Sequence, residues 1–185
     1  MLDTVKSFSS ENEVKHYMSL TENIGLWESE KKKFTQYLKL TDRILDLGCG
    51  TGRATFGLYN LGYKNIMGTD FSNNMIKSAN DLSAIKNIPI KFIVADATRL
   101  QIKDSFNVVI FSFNGLMMIP KESMRLKAML EIEKILEPNG YFIFTTHDRN
   151  ACKEKYFNFW NEEKLRWLND TYDSPFRLQK KKTLL

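Results

Sequence analysis

Three glycines preceded by an acid form the segment of this sequence best suited to bind a ligand. Asp46 is followed by Gly48, Gly50 and Gly52, so that the glycines fall at every second position. Glycine lets the backbone turn sharply and lets a ligand approach the chain where a Cβ would otherwise stand. This spacing differs from the Gly-x-Gly-x-x-Gly fingerprint of dinucleotide-binding folds. A carboxylate at Asp46 would repel a pyrophosphate, but it could receive an ammonium group.

Two further acids end the next two apolar runs of the sequence. Asp70 stands where an acid accepts the hydroxyls of a ribose in nucleotide-binding α/β folds. Asp96, followed by Ala97, could accept a hydrogen bond from the exocyclic amine of a base. A nucleoside with a cationic, phosphate-free tail therefore fits all three acids, whereas NAD fits two of them. An NAD-dependent oxidoreductase is the weaker alternative on the same architecture.

Short apolar runs alternate with longer amphipathic ones, and these elements must position the glycines and the acids. The runs predict strands at residues 43–47, 65–70, 90–96, 107–113 and 141–146. Helices are predicted between them, over 52–61, after a cap at Ser72 and from Pro120, and residues 137–140 predict a turn. The helix after Ser72 should bury a face made of Met75, Ile76, Ala79, Leu82 and Ile85. Strands separated by helices predict a doubly wound, mainly parallel α/β sheet with its ligand site at the carboxyl ends of the strands.

The composition fits one α/β domain with helical additions. The 185 residues predict a helical cap over 1–42, a cofactor-binding core over 43–150, and a helix with a basic tail over 151–185. The lysine run 31–33, with Glu28 and Glu30 before it, is typical of a solvated helix face. The net charge of +5 is spread along the chain rather than clustered, which argues against a nucleic-acid partner.

Cysteine count and hydropathy exclude further classes of protein. Only Cys49 and Cys152 occur, so we expect neither a disulfide framework nor a metal site. The first residues lack the basic and apolar regions of a signal peptide, so we expect none, and we find no apolar stretch long enough to cross a bilayer. We therefore expect a cytoplasmic protein without a membrane partner, either a monomer or a homodimer.

Four segments of the chain, in order and at the usual spacing, resemble the class I S-adenosylmethionine-dependent methyltransferases. They are ILDLGCGTGR (44–53), GTDFSNNMI (68–76), FIVADATRL (92–100) and LEPNGYFIF (136–144). The resemblance implies a Rossmann-like sheet that binds S-adenosylmethionine and releases S-adenosylhomocysteine. Asp46 and the loop from Gly48 to Gly52, including Cys49 and Gly50, would surround the methionine part of the cofactor. Asp70 would hold the ribose, and the adenine would be contacted by Phe71, Asp96 and Ala97.

The acceptor side of the site is less well specified. The resemblance would place Ser112, Phe113 and Asn114 beneath the sulfonium, and Tyr17 on the first helix where family members often fold a lid. His147 follows the fifth predicted strand and is the best-placed candidate base, because imidazole titrates near neutral pH. The stretch Phe113-Asn114-Gly115-Leu116 lacks the Asn/Asp-Pro-Pro-aromatic motif of nucleic-acid amino-methyltransferases. A small molecule is therefore the expected methyl acceptor, with a protein or RNA as the alternatives.

The sequence departs from the family at its carboxyl end. The family's sheet has seven strands, of which the last two form an antiparallel hairpin after the fifth. After Thr146 only one helix is predicted, and residues 171–185 show no strand pattern. We therefore expect the last two strands to be missing, through truncation, an abbreviated sheet or completion by a partner. A module that binds the cofactor without turnover is the alternative that this departure favours.

Overall fold

The structure is a computed structural model that describes residues 10–146, which belong to one compact unit. Within this range a parallel sheet of five strands has the order β3-β2-β1-β4-β5. The strands are β1 (Ile44–Leu47), β2 (Ile66–Asp70), β3 (Lys91–Val94), β4 (Phe106–Phe111) and β5 (Leu136–Phe144). The central strand β1 pairs with β2 on one side and with β4 on the other. The strand order thus reverses between β1 and β4, which is where ligands bind in sheets of this kind.

Helices cover both faces of the sheet. They are α1 (Glu11–Asn23), α2 (Glu28–Tyr37), α3 (Arg53–Asn60), α4 (Asn73–Ile85), α5 (Gly115–Met118) and α6 (Glu122–Ile135). One core receives apolar side chains from α2, α3 and α4, and the other receives them from α5 and α6. Neighbouring residues of β1 divide between these cores, with Ile44 in the first and Leu45 in the second. Burial on both faces explains the almost continuous apolar runs of the central strands and confirms the predicted doubly wound α/β sheet.

The predicted helix α4 is correct at its start and partly wrong at its end. Ser72 caps it by accepting a hydrogen bond from the backbone N–H of Met75. Four of the five residues predicted for its buried face are buried, but Ile85 is 81% exposed. The helix ends at Ile85 and the chain turns through Asn87, whose φ is 51°. Ile90, which follows this turn, is buried in the core instead.

Further boundaries differ from the prediction, and strand β3 spans Lys91–Val94 rather than 90–96. Strand β4 ends at Phe111 rather than Phe113, because the two residues after Ser112 adopt left-handed backbone angles. Strand β5 begins at Leu136, before the predicted turn at 137–140. That segment forms an irregularity within the β4–β5 pairing, between the Phe106–Leu136 and Val108–Tyr141 pairs.

Some predictions concern residues outside the described range. The helix predicted over 151–170 and the expected absence of two final strands fall in residues 147–185. Among residues 10–146, no helix combines the length and the apolar character needed to cross a bilayer.

Candidate functional site

The glycine loop, residues 48–52, joins the central strand β1 to helix α3 at the point where the strand order reverses. Gly48, Gly50 and Gly52 all have positive φ, between 56° and 93°. A Cβ at Gly48 would lie 2.5 Å from the Phe111 ring, and one at Gly52 would lie 2.8 Å from the Phe56 ring. At Gly50 the nearest atom belongs instead to the Tyr17 ring of α1, 3.4 Å away. Core packing therefore requires glycine at the two ends of the loop, while its middle faces α1.

Asp46 lies directly below this loop and is 1% exposed. Its Oδ2 accepts a 2.6 Å hydrogen bond from the Thr55 hydroxyl. Its Oδ1 is buried and has no hydrogen-bond partner among the described residues. Burial raises the pKa of Asp46 to about 7, against the lowering effect of the Thr55 hydrogen bond. A buried carboxylate oxygen with an unfilled lone pair fits the ammonium group that the sequence predicts here.

Asp70 connects the end of β2 to the glycine loop. Its Oδ2 accepts a 2.9 Å hydrogen bond from the Gly50 N–H, and its Oδ1 accepts one of 2.9 Å from the Ser72 N–H. Burial raises the pKa of Asp70 to about 6, although these backbone hydrogen bonds lower it. The backbone N–H of Phe71 also hydrogen-bonds to this carboxylate. Its two oxygens offer about four lone-pair positions, so one acceptor position remains for a ribose hydroxyl. The sequence indicates Asp70 as a ligand-binding residue but contains no signal for its bond to the loop.

The predicted adenine contacts lie at the ends of β2 and β3. Phe71 follows Asp70 and is partly buried. Asp96 follows β3, and its Oδ1 accepts hydrogen bonds from both the N–H and the hydroxyl of Thr98, each 2.8 Å long. This carboxylate therefore also shapes the turn after β3. Ala97 is partly buried and packs against the core on the α6 side of the sheet.

The residues predicted for the acceptor side meet the first helix. Phe113 and Asn114, which follow the buried Ser112, have φ values of 53° and 64°. The Asn114 N–H donates a 3.0 Å hydrogen bond to the Thr145 hydroxyl, and the buried Asn114 Oδ1 has no hydrogen-bond partner among residues 10–146. The rings of Tyr17 and Phe113 pack edge to face, with centroids 6.2 Å apart. The fold thus brings two predicted acceptor-side aromatics together beside Gly50.

A buried ion pair next to the loop was missed by the sequence analysis. Arg53 donates through Nη1 and Nη2 to the two carboxylate oxygens of Glu30, at 2.6 and 2.7 Å. Each residue is 6% exposed. The three lysines that follow Glu30, residues 31–33, are all exposed. The predicted solvated face is therefore correct for the lysines and wrong for Glu30. The available signal was Arg53 itself, a cation placed directly after the glycines at the start of an apolar helix.

The remaining predicted residues carry less information. Cys49 is buried, and burial raises the pKa of its thiol well above 9, which disfavours a thiolate nucleophile at neutral pH. His147 lies outside the described residues. In the range 10–146, no three or more His, Cys, Asp or Glu side chains form a group that could hold a metal ion.

Comparison with known proteins places this chain in a family. Residues 38–181 match the model of a methyltransferase domain. The chain is 26% identical over 132 residues to the 2-methyl-6-phytyl-1,4-hydroquinone methyltransferase of Synechocystis sp., covering 71% of this chain and 40% of that protein. It is 32% identical over 76 residues to the human eEF1A lysine and N-terminal methyltransferase, covering 40% of this chain and 11% of that protein.

A solved structure agrees with the fold. The crystal structure of a SAM-dependent methyltransferase from Methanosarcina mazei aligns with a TM-score of 0.62 at 24% identity, covering 85% of this chain and 69% of that one. The chain spans about half the length, or less, of the curated relatives it matches. Because the family model matches well over half of the chain, the chain belongs to the methyltransferase-domain family, which confirms its resemblance to the class I S-adenosylmethionine-dependent methyltransferases.

Proposed function

We propose that this protein binds S-adenosylmethionine at the glycine loop and transfers its methyl group to a small-molecule acceptor. The observation that carries the proposal is the buried, unpartnered Oδ1 of Asp46 beneath the loop. A buried acceptor of this kind is costly unless a donor fills it. The α-ammonium group of the methionine part is a donor of the right charge, whereas a pyrophosphate in the same place would be repelled.

The rest of the cofactor site follows from the ends of the strands. The loop of Gly48, Cys49, Gly50 and Gly52 would hold the methionine part, and Asp70 would accept a ribose hydroxyl at its remaining acceptor position. Phe71, Asp96 and Ala97 would surround the adenine, with Ser112 near the sulfur. When bound, the cofactor supplies an electrophilic methyl group on a sulfonium. The chain's own task is then to align the acceptor with that methyl group, an effect worth about 7–11 kcal/mol of the barrier.

Tyr17, Phe113 and Asn114 are the proposed acceptor-side residues. The aromatic pair offers an apolar wall, and the buried Oδ1 of Asn114 offers one hydrogen-bond acceptor. A wall of this kind with a single polar group suits a small, partly apolar molecule. We propose His147 as the base for acceptors that must lose a proton before or during attack.

A protein acceptor is the second candidate. The likeness to an enzyme named for lysine methylation of eEF1A favours it, whereas the likeness to a hydroquinone methyltransferase over a larger share of the chain favours a small molecule. The spread-out charge of the sequence favours neither. The chemistry at the sulfonium is the same in both cases, so the acceptor must be identified by experiment.

The first experiment is a calorimetric titration with S-adenosylhomocysteine and, in parallel, with NADH. We expect binding of S-adenosylhomocysteine alone; binding of NADH alone would replace the proposal with the oxidoreductase alternative. The second experiment supplies S-adenosylmethionine with a labelled methyl group to a cell extract separated into small molecules and proteins. Label in the small-molecule fraction supports the proposal, and label in the protein fraction supports the second candidate. Tight binding without label in either fraction would support a binding module without turnover.

A further inference from the structure

We propose that the Arg53–Glu30 ion pair is a positioning element through which helices α1 and α2 hold the glycine loop in its cofactor-binding shape. The inference rests on the proposed function, because it assumes that the cofactor binds at this loop. It assigns a role to two residues that would not touch the cofactor themselves. Both act through the loop and through Asp46.

Arg53 is the first residue of α3 and directly follows Gly52, so its backbone is the end of the glycine loop. Its guanidinium binds both oxygens of Glu30 on α2, at 2.6 and 2.7 Å, and its Nη1 also donates to the Gly25 carbonyl at 2.7 Å. Gly25 follows α1 and has a φ of 65°. Arg53 therefore bonds to the end of one N-terminal helix and the start of the next.

Glu30 is itself held in place within α2. Its Oε2 accepts a 3.0 Å hydrogen bond from the Trp27 N–H, in a capping arrangement at the start of the helix. Both partners of the ion pair are almost completely buried. Separating a buried pair leaves a charge without compensation, so α2 and the end of the loop must move together or not at all.

A second contact joins α1 to the middle of the same loop. The hydroxyls of Thr21 and Thr51 lie 2.7 Å apart and form a buried hydrogen bond. The Tyr17 ring, one turn earlier in α1, is the closest group to Gly50 on the open side of the loop. The Arg53 guanidinium also lies 5.0 Å from the centroid of Phe113, the ring that packs against Tyr17. The N-terminal helices thus contact the loop and its aromatic wall at several points.

The ion pair also acts on Asp46 electrostatically. Burial is the main cause of its raised pKa, the Thr55 hydrogen bond and the Arg53 charge lower that pKa, and the charges of Glu30 and Asp70 raise it. The buried Cys49 thiol is the other titratable group nearby, and its own pKa is raised by burial and by Asp46. Because Arg53 and Glu30 act in opposite directions, removing one or the other should shift the pKa of Asp46 in opposite directions.

The test compares Glu30→Gln, Arg53→Met and the control Glu137→Gln by calorimetry with S-adenosylhomocysteine across pH. The control breaks the Arg43–Glu137 ion pair, which has the same chemistry and a 2.7 Å contact but is much more exposed. Affinity should rise on the acid side as Asp46 ionises and fall at more alkaline pH as the ligand's own ammonium group loses its proton. The fall in affinity at alkaline pH comes from the ligand and is therefore the same for all variants. The pH at which affinity reaches half its maximum on the acid side, the acid-side midpoint, therefore reports on the ionisation of Asp46.

We expect two results from the paired variants. The affinity for S-adenosylhomocysteine at its optimal pH should fall about tenfold in both Glu30→Gln and Arg53→Met, because the ion pair no longer holds the loop. The acid-side midpoint should move to lower pH in Glu30→Gln and to higher pH in Arg53→Met, and neither quantity should change in the control. Wild-type affinity in both variants would overturn the inference, and so would midpoints that move in the same direction.

Circular dichroism measures whether each variant folds, and only folded variants are compared. Where a single variant does not fold, the double variant Glu30→Met/Arg53→Met replaces it, since apolar side chains of similar size can substitute for a buried ion pair. Its greatest affinity should still fall about tenfold, because the hydrogen bond from Arg53 to the Gly25 carbonyl is lost as well. An unchanged affinity in this variant would overturn the inference. Failure of the wild type to bind S-adenosylhomocysteine would instead overturn the proposed function.

Discussion

The backbone N–H of Gly50 donates a 2.9 Å hydrogen bond to Oδ2 of Asp70 and so ties the loop after β1 to the end of β2. The acid proposed to hold the ribose therefore also fixes the loop proposed to hold the methionine part. Both halves of the proposed cofactor site therefore depend on one buried carboxylate.

Asp70→Ala should weaken the affinity for S-adenosylhomocysteine by about tenfold or more. The variant loses the charge-assisted bond to the ribose, worth about 1.5–3 kcal/mol, and also releases Gly50. Calorimetry measures the effect directly. Asp70→Asn is the matched control, because its amide retains an oxygen that can accept from one backbone N–H. An unchanged dissociation constant in Asp70→Ala would refute the assignment of this residue to the cofactor.

Asp46→Asn should make the ligand-free protein more stable above neutral pH while weakening its affinity for the cofactor. Burial raises the pKa of Asp46 to about 7 in the folded state, whereas the unfolded value is about 3.9. The free energy of unfolding should therefore fall as pH rises from about 4 to about 7, by at most about 4 kcal/mol from this group. Asp70 acts in the same direction, with a pKa raised to about 6.

Thermal unfolding from pH 4 to pH 8, with and without S-adenosylhomocysteine, measures both effects of the Asp46 substitution. The ligand-free wild type should lose stability relative to Asp46→Asn as the pH rises, and the ligand should stabilise the wild type more. If the two proteins show parallel pH profiles, Asp46 is not the group that titrates.

Gly50→Ala should weaken cofactor affinity with a smaller loss of stability than Gly48→Ala. Both positions have positive φ, so alanine costs about 1 kcal/mol of backbone strain at each. A Cβ at residue 48 would also lie 2.5 Å from the Phe111 ring in the core, whereas one at residue 50 meets only the Tyr17 ring at 3.4 Å. Thermal unfolding and calorimetry on the two variants separate packing from binding. Equal affinity in Gly50→Ala and wild type would show that the ligand does not approach this backbone.

His147→Ala should leave the affinity for S-adenosylhomocysteine unchanged and lower turnover. The prediction comes from the position of His147 after the fifth strand in the sequence and from the near-neutral pKa of imidazole. Turnover is measured with the acceptor that the labelled-methyl experiment identifies. A loss of affinity as large as the loss of turnover would assign the histidine a structural role.

The parallel sheet could be predicted from the sequence because the evidence for it is local. Alternating apolar and amphipathic runs, glycine spacing and a serine cap each depend on residues that are close together in the chain. The boundaries were less accurate where distant contacts decide them. Ile85 follows the apolar period of α4, yet it is exposed because the helix ends there, and Ile90 is buried in the core instead.

The sequence by itself determined the sheet, the glycine loop and the acids at the ends of the strands. Parallel strands have their carboxyl ends at one edge of the sheet, so the loop and the acids lie at that edge. Only the tertiary structure decided that Glu30 is buried, that Asp70 bonds to Gly50 and that Tyr17 packs on Phe113. These contacts join residues far apart in the chain, whose charge or aromatic character fits a surface equally well. The partners of Glu30 and Tyr17 are set by how α1 and α2 pack, and the partner of Asp70 is set by the pairing of β1 with β2. No local pattern encodes either.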